Sequence, residues 1–427
     1  MKNINLKKEI KKNEEKQKII LPIIYSYKEK RDKILNEEEK EKLRNKVREI
    51  KEKTINNIKE LKEKTIKNLI KNEIRVIEAK DSKEAIKIIK KIVGKEKLII
   101  KSKSNTCNEI ELKKFLKNKE IIETDLGDFL IQLFKDDKEK EIHPVLPSLH
   151  LTLDNISKKI NEKFKVNVEK KEEEIIKFIR KYLREKIYKA KIGISGANVI
   201  SSDGSIFILE NEGNISLVSR IVDKHIILVG FDKIVETKEQ ALDIIKASTI
   251  FGTAQEYSSY VSIISGPSKT ADIQNKIIKG AQGPKEVYLI LLDNKRNEIL
   301  NSEFKELLYC INCGACLNFC PVYHQIFSRY GSNYFLGAKG VISSYFQEYP
   351  KKAYENGAFF CTTCKQCYEN CPVKINLSDL IKKIRKELVK RKLEPPSVKE
   401  MIINISNYGN PFGKIQKGKK PTKLYCC

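Results

Sequence analysis

Residues 224–249 read KHIILVGFDKIVETKEQALDIIKAST, and the order of patterns inside this stretch decides the fold class. KHIILVGFDKIV is an apolar, β-branched run of strand type, whereas TKEQALDIIKAST carries helical periodicity. The same change of pattern recurs from about 72 to 295. VIEAK, KLIIKSKS, SIFILENEG, YVSIISGPS and EVYLILLD read as strands, and DSKEAIKIIKKIVG, NEIELKKFLKN and KKEEEIIKFIRKYLREK as helices. Alternation of this kind predicts an α/β domain, a largely parallel sheet covered by helices. In such sheets ligands bind in the loops beyond the strands' carboxyl ends.

Outward from this domain the pattern changes twice. Upstream, Leu43, Val47, Ile50, Ile58, Leu61 and Leu69 recur at helical spacings with Lys and Glu between them, which predicts one amphipathic helix across about 38 to 70. Downstream lie two cysteine-rich runs. LSDLIKKIRKELVKRK follows them as a helix that Glu394-Pro395-Pro396 should end, and GKIQKGKKPTKLYCC closes the chain as a basic, mobile tail. Four units are therefore expected: a helical segment 1–71, the α/β domain 72–298, a helical cysteine-bearing domain 299–395 and a tail 396–427.

At 427 residues, 40% hydrophobic, the chain can bury two or three cores. Its formal charge of +27 would suit a nucleic-acid binder. Lysine is interspersed with glutamate along nearly every segment, however, and no finger, helix-turn-helix or aromatic stacking pattern accompanies it, so no nucleic-acid role is read. An acidic protein partner fits the surplus equally well. The N-terminus offers only a short apolar run around Pro22 with no cleavage site after it, and nothing approaches the roughly 18 apolar residues of a membrane span. A soluble, cytoplasmic protein is expected.

Of eleven cysteines, eight fall in YCINCGACLNFCPVY (309–323) and CTTCKQCYENCPV (361–373). Both follow C-x2-C-x2-C-x3-C-P, the run that holds a cubane 4Fe-4S cluster in bacterial ferredoxins. Structural zinc takes four ligands, commonly as two separated pairs, and has no use for a third cysteine two residues on. In two-cluster proteins the fourth cysteine, followed by proline, reaches the other cluster. The expected assignment is therefore crossed: Cys310, Cys313, Cys316 and Cys371 on one cluster, Cys361, Cys364, Cys367 and Cys320 on the second. Pro321 and Pro372 turn the chain away after the ligand. Such a domain moves electrons and performs no bond chemistry itself. Cys107 reads as a small structural residue, and Cys426 and Cys427 as a frayed terminal pair.

IKSKSNT (100–106), ETDLGDFLIQL (123–133), IHPVLPSLH (142–150), GISGAN (193–198), DGSIFILENEGN (203–214), KHIILVGFDKIV (224–235) and ISGPSKTADI (264–273) follow one another, with AQGPKEVYLILLDN and the cysteine runs after them. In this combination and order the chain resembles the LUD-domain iron-sulfur proteins of lactate utilisation, over roughly residues 70 to 380. The resemblance implies a NagB/RpiA/CoA-transferase-like α/β fold joined to a two-cluster domain. It also implies an electron-transfer subunit working with a flavin or cysteine-rich catalytic subunit in a complex that oxidises L-lactate. The alternative is a small-anion-binding or redox-sensing module whose clusters are structural or regulatory. The chain departs from the longer family members at its end, which leaves the partner surface and the substrate open.

Each matched stretch also has a reading of its own. Gly266, Ser268 and Thr270 are expected at a strand-to-helix turn, where free N–H groups and hydroxyls suit a carboxylate or phosphate, or simply cap the helix. Lys101 and Lys103 at a strand end could neutralise an anion or stand solvated. Thr124, Asp125, Glu210, Glu212, Gly213 and Asn214 could line the same cleft, so Ser268, Thr270 and Asn214 are expected to converge with Lys103 nearby. His143, His150 and His225 fall inside matched stretches, and each alone reads as structural. GISGAN lacks the G-x-G-x-x-G spacing and no phosphate-binding Walker loop occurs, so no nucleotide is expected.

Overall fold

The computed structural model describes residues 6–135, 140–415 and 420–421. Its centre is a six-stranded, wholly parallel sheet of strands Arg75–Ala79, Glu286–Leu292, Lys224–Gly230, Ile192–Ser195, Leu98–Lys101 and Glu120–Glu123, in that spatial order. Ile226 to Val229 and Leu289 to Leu292 are buried on both faces, as a parallel sheet covered by helices requires. The helices Ser82–Val93 and Glu172–Lys189 cover it with apolar stripes, Ala85, Ile86, Ile89 and Val93 on the first and Ile175, Ile179, Leu183 and Ile187 on the second.

The stretch that decided the fold class does more than supply one strand. After Gly230 the chain makes a short turn, Phe231–Lys233, and Ile234–Val235 then joins a second sheet. That four-stranded sheet also contains Val199–Ser201, Ser205–Glu210 and Tyr260–Ile264, and its two longer strands pair antiparallel. SIFILENEG and YVSIISGPS are thus strands, but outside the parallel sheet.

The expected helix over 38 to 70 is two helices, Glu37–Asn56 and Ile58–Lys71, meeting at Asn57. Asn36 caps the first in a reciprocal capping box with Glu39. A further helix, Leu6–Ile34, precedes them and carries Pro22 in its interior. These helices clasp the cysteine-bearing region. Arg44 donates to the carbonyls of Cys371 (3.0 Å) and Tyr368 (2.9 Å), and Arg31 to Asn370 (2.9 Å). Ile20, Ile24, Val47, Ile50 and Ile55 share one core with Phe251 of the α/β domain and with Tyr323, Tyr330 and Ile381.

Between the runs the chain folds as helices Pro321–Ile326, Gly337–Gln347 and Pro350–Glu355, and after them as Leu377–Lys390. That helix ends before Glu394-Pro395-Pro396, as expected, but residues beyond 396 are not all tail: Pro396 also opens a further helix, Pro396–Tyr408, because proline's fixed φ suits a first turn. Cys426 and Cys427 lie outside the described residues, as does most of the basic tail. Among the described residues no helix is long and apolar enough to cross a membrane.

Candidate functional site

Both cysteine runs wind in the same way. Asn312 and Gly314 in the first, and Thr363 and Lys365 at the matching positions of the second, all take left-handed φ values of 61°, 81°, 56° and 63°. Such turns point successive N–H groups inward. Asn312 N–H reaches Cys310 Sγ at 3.4 Å, Thr363 N–H reaches Cys361 Sγ at 3.4 Å and Tyr323 N–H reaches Cys320 Sγ at 3.5 Å. Gly314 has no room for a side chain, since a Cβ there would stand 2.9 Å from Pro144 and 3.0 Å from His143.

The runs lie side by side, each last cysteine facing the other run. Cys371 faces Cys310 and Cys313, whereas Cys320 faces Cys361 and Cys364. A small cavity is lined by Cys316, Cys320, Cys361, Cys364 and Cys367. Burial pushes the Cys320 thiol up to about 11 and the Cys367 and Cys371 thiols up to about 12, neighbouring cysteines adding to the rise. These thiols stay protonated at neutral pH unless a metal takes the proton's place. At Cys310 burial acts the same way, but Lys339 and Lys233 outweigh it and hold the thiol below its usual value. Among the described residues no three of His, Cys, Asp and Glu could hold a single metal ion. Inward N–H groups, all-thiol donors and left-handed turns fit iron-sulfur clusters, whose four iron corners need separated ligands.

The α/β domain opens a cleft of about 480 Å³ against the first run. Its walls come from the carboxyl ends of the parallel strands, at Lys103, Asp125 and Gly196, from Glu212 and Asn214 just after the second-sheet strand Ser205–Glu210, and from Ile311 and Asn312 of the cysteine run. Lys103 ion-pairs with Asp125 (3.0 Å) and donates to the Val145 carbonyl (2.9 Å). Asn214 donates to Thr124 Oγ1 at 3.3 Å. Glu212 accepts from Leu126 N–H at 3.0 Å, and burial, reinforced by Asp125, pushes its carboxyl up to about 7. The cations of the cleft, Lys103 and Lys233, each already hold a carboxylate.

Six residues expected here do not line the cleft. Thr124 is buried and accepts from Asn214, and Gly213 is the N-cap of the helix Asn214–Arg220. Lys101 is buried inside the domain in an ion pair with Glu123 (2.9 Å), which Lys113 also approaches at 2.8 Å. Gly266, Ser268 and Thr270 do not line the cleft. They lead into a hairpin of Lys269–Thr270 and Ile278–Lys279, not a strand-to-helix turn, and the Thr270 hydroxyl donates to Asp272. The expected convergence of Ser268 and Thr270 with Asn214 is therefore not met. His225 is buried in the sheet against Ser195 (2.8 Å), and burial lowers its imidazole to about 3. His143 packs on Gly314, its Nδ1 accepting from Val145 and Leu146 N–H. His150 and Cys107 are buried.

A buried polar network went unforeseen. Arg296 forks onto Glu109 with two 2.8 Å contacts and reaches Asp232 at 2.6 Å, and Gln347 donates to Glu109 at 2.8 Å. Lys233 pairs with Asp232 at 2.9 Å and donates to the Cys310 carbonyl, while Lys51 of the clasping helix donates to the Asp232 carbonyl. The signal was FDKIV inside the opening stretch, where charges interrupt an apolar run. In so lysine-rich a chain it did not stand out.

The family model described as LUD domain matches residues 62–292, and that described as 4Fe-4S dicluster domain matches residues 306–375. Lactate utilization protein B of Bacillus pumilus (strain SAFR-032) is 33% identical over 356 residues, 82% of this chain and 72% of that protein. Lactate utilization protein B of Bacillus subtilis (strain 168) is 33% identical over 337 residues, 78% of this chain and 68% of that one. A solved structure of a duf162 family protein from Deinococcus radiodurans matches at 14% identity and a TM-score of 0.29, covering 55% of this chain and 98% of that one, a likeness too loose to carry an argument.

Proposed function

The chain belongs to the LUD-domain family that includes lactate utilization protein B, and from that membership we propose that it is the iron-sulfur electron-transfer subunit of a complex oxidising L-lactate or a related 2-hydroxy acid. Cys310, Cys313, Cys316 and Cys371 would hold one 4Fe-4S cluster, and Cys361, Cys364, Cys367 and Cys320 the other. When bound, two neighbouring clusters supply one-electron transfer between a donor and an acceptor.

The observation that carries this reading is the crossing of the runs, together with the cleft wall that the first run shares with the α/β domain. The chain's own residues divide the remaining work. Arg44 and Lys233 tie down the carbonyls of Cys371 and Cys310, one in each run, which would keep the first ligand set rigid. Exposed Cys364 opens the second run to solvent, and so to a flavin or cysteine-rich catalytic subunit. Lys103, Asn214 and Glu212 would orient a small carboxylate or phosphorylated ligand in the cleft, with Glu212 able to take up or release a proton near neutral pH.

Anaerobically purified protein should contain about eight iron and eight acid-labile sulfides and should be reduced reversibly. Stoichiometric zinc without iron would overturn the reading, and clusters that resist reversible reduction would favour a sensing module. Calorimetric titration with lactate, pyruvate and phosphorylated acids should show binding that Lys103→Ala weakens. If nothing binds, the cleft is a docking surface and the chemistry belongs to the partner.

A further inference from the structure

Tyr330 stands in the segment between the runs, directly after the short turn Phe327–Arg329. Its side chain is fully buried, and its hydroxyl has no hydrogen-bond partner. The ring lines the same small cavity as Cys320, Cys361, Cys364 and Cys367, and the phenol faces the Cys361 thiol with Cys320 and Cys367 beside it. Its aim is fixed from behind. Tyr330 N–H donates to the Phe327 carbonyl at 2.9 Å, and its own carbonyl accepts from Gly337 N–H at 2.7 Å. Gly357, at φ 99°, lets the backbone come so close that a Cβ there would stand 3.0 Å from the Tyr330 ring.

A phenol so placed needs an acceptor, because an unpaired hydroxyl in the interior is costly and phenylalanine would fill the same space without it. The sulfurs of Cys361, Cys320 and Cys367 are the acceptors that act on it most directly. We propose that Tyr330 donates a hydrogen bond to the second cluster, at the Cys361 thiolate or an adjoining sulfide, and so raises that cluster's reduction potential. Reduction adds negative charge to the sulfurs, and a donor aimed at them stabilises the reduced form more than the oxidised one. Tyr323 repeats the arrangement on the other side: its hydroxyl is also buried without a partner, and it faces Cys320 and Cys316. The first run has no such phenol at Cys310, where Lys339 and Lys233 supply positive charge instead.

The inference rests on the two-cluster reading, and the test separates the two. In the full chain, purified anaerobically, Tyr330→Phe should keep about eight iron. A potentiometric titration followed by electron paramagnetic resonance should show the second cluster's midpoint falling by the equivalent of about a tenfold change in its reduction equilibrium, about 59 mV for one electron. The first cluster serves as the unshifted standard in the same sample. Pulsed resonance of the wild-type protein in deuterated water should reveal an exchangeable hydrogen coupled to the second cluster, and Tyr330→Phe should remove it. This reading of the wild type stands even where the variant folds poorly. An unchanged midpoint with eight iron present, or no coupled exchangeable hydrogen in the wild type, overturns the role of Tyr330 and leaves the two clusters standing. About four iron in the wild type overturns the two-cluster premise itself.

Discussion

The two cysteine runs share their spacing and their left-handed turns, yet of the two proposed ligand sets that draw on both runs, one is enclosed and the other open. The first set takes buried Cys371 from the end of the second run, where Arg44 holds its carbonyl, and through the Cys310 carbonyl it leans on a network of Lys233, Asp232, Arg296 and Glu109. The second set includes exposed Cys364, with buried phenols beside it and Arg385 donating to the Cys361 carbonyl. An identical sequence pattern therefore dictates the ligand loop, while the surroundings dictate what each set faces. The enclosed set adjoins the cleft of the α/β domain, and the open one reaches solvent at Cys364.

The largest effect expected from this contrast is loss of a whole cluster. Cys371→Ser and Cys364→Ser should each lower the iron content from about eight to about four. Only Cys371→Ser should also weaken the fold, because Cys371 is buried where Arg44 of the N-terminal helices holds its carbonyl, whereas Cys364 is exposed. Iron analysis beside a urea titration checks both. Equal stability of the two variants would mean that the enclosure of the first set is incidental.

Next in size is the network. Asp232→Ala would leave Lys233 without its carboxylate and Arg296 half-paired, while Lys51 keeps the backbone carbonyl, and removing one member of a buried ion pair costs about 3–5 kcal/mol. The urea midpoint should fall accordingly. The spectroscopic signal of the first cluster should be lost at lower urea than that of the second, since Lys233 anchors the Cys310 carbonyl. Simultaneous loss of the two signals would break the asymmetry.

His225 belongs to neither run and provides a common baseline. Burial lowers its imidazole to about 3, against about 6.5 in an unfolded chain. The stability this neutral histidine contributes is fully present above about pH 6.5 and is lost as pH falls toward 3, which amounts to about 3 kcal/mol by pH 4. His225→Gln should flatten that acid limb in urea titrations at a series of pH values. The strand sits in the central sheet, so both runs should fail at the same pH. Staggered failure would show that one of them has an acid-labile route of its own.

The parallel sheet and the cysteine loops were legible because each rests on a local pattern: alternating strand and helix signals, and a spacing that only one ligand geometry uses. Lys103, Asp125, Glu212 and Asn214 were legible as cleft residues through their place at strand ends. Ser268 and Thr270 were misplaced because Gly266-Pro267 before a polar run fits a hairpin as well as a helix start, and only pairing with Ile278–Lys279 decides between them. The helix Leu6–Ile34 falls within the helical segment expected over 1–71, but Pro22 and a weak apolar stripe kept its own bounds from showing. Its stability comes from contacts with residues some 300 positions away, such as the Gln325 carbonyl that Asn13 reaches at 3.3 Å. Arg296, Glu109 and Asp232 meet only in the folded chain.

The smallest effect concerns a position where the loops differ in residue but not in conformation. Gly314 and Lys365 occupy equivalent left-handed turns, at φ 81° and 63°. A residue with a Cβ gives up roughly 1–2 kcal/mol in that conformation, whereas glycine enters it freely. Lys365→Gly should relieve that strain, offset by about 0.5–1 kcal/mol for the looser unfolded chain, for a net gain of about 0.5–1 kcal/mol. The reverse exchange is not symmetrical. Gly314→Ala adds the same strain and drives a Cβ to 2.9 Å from Pro144 in the loop that closes the first run, so it should cost about 1–3 kcal/mol. Urea midpoints of the two variants, measured in iron-loaded protein, carry opposite signs if one loop is enclosed and the other open. Were both destabilising by similar amounts, the second loop would be packed as tightly as the first, and the contrast between them would rest on Cys364 alone.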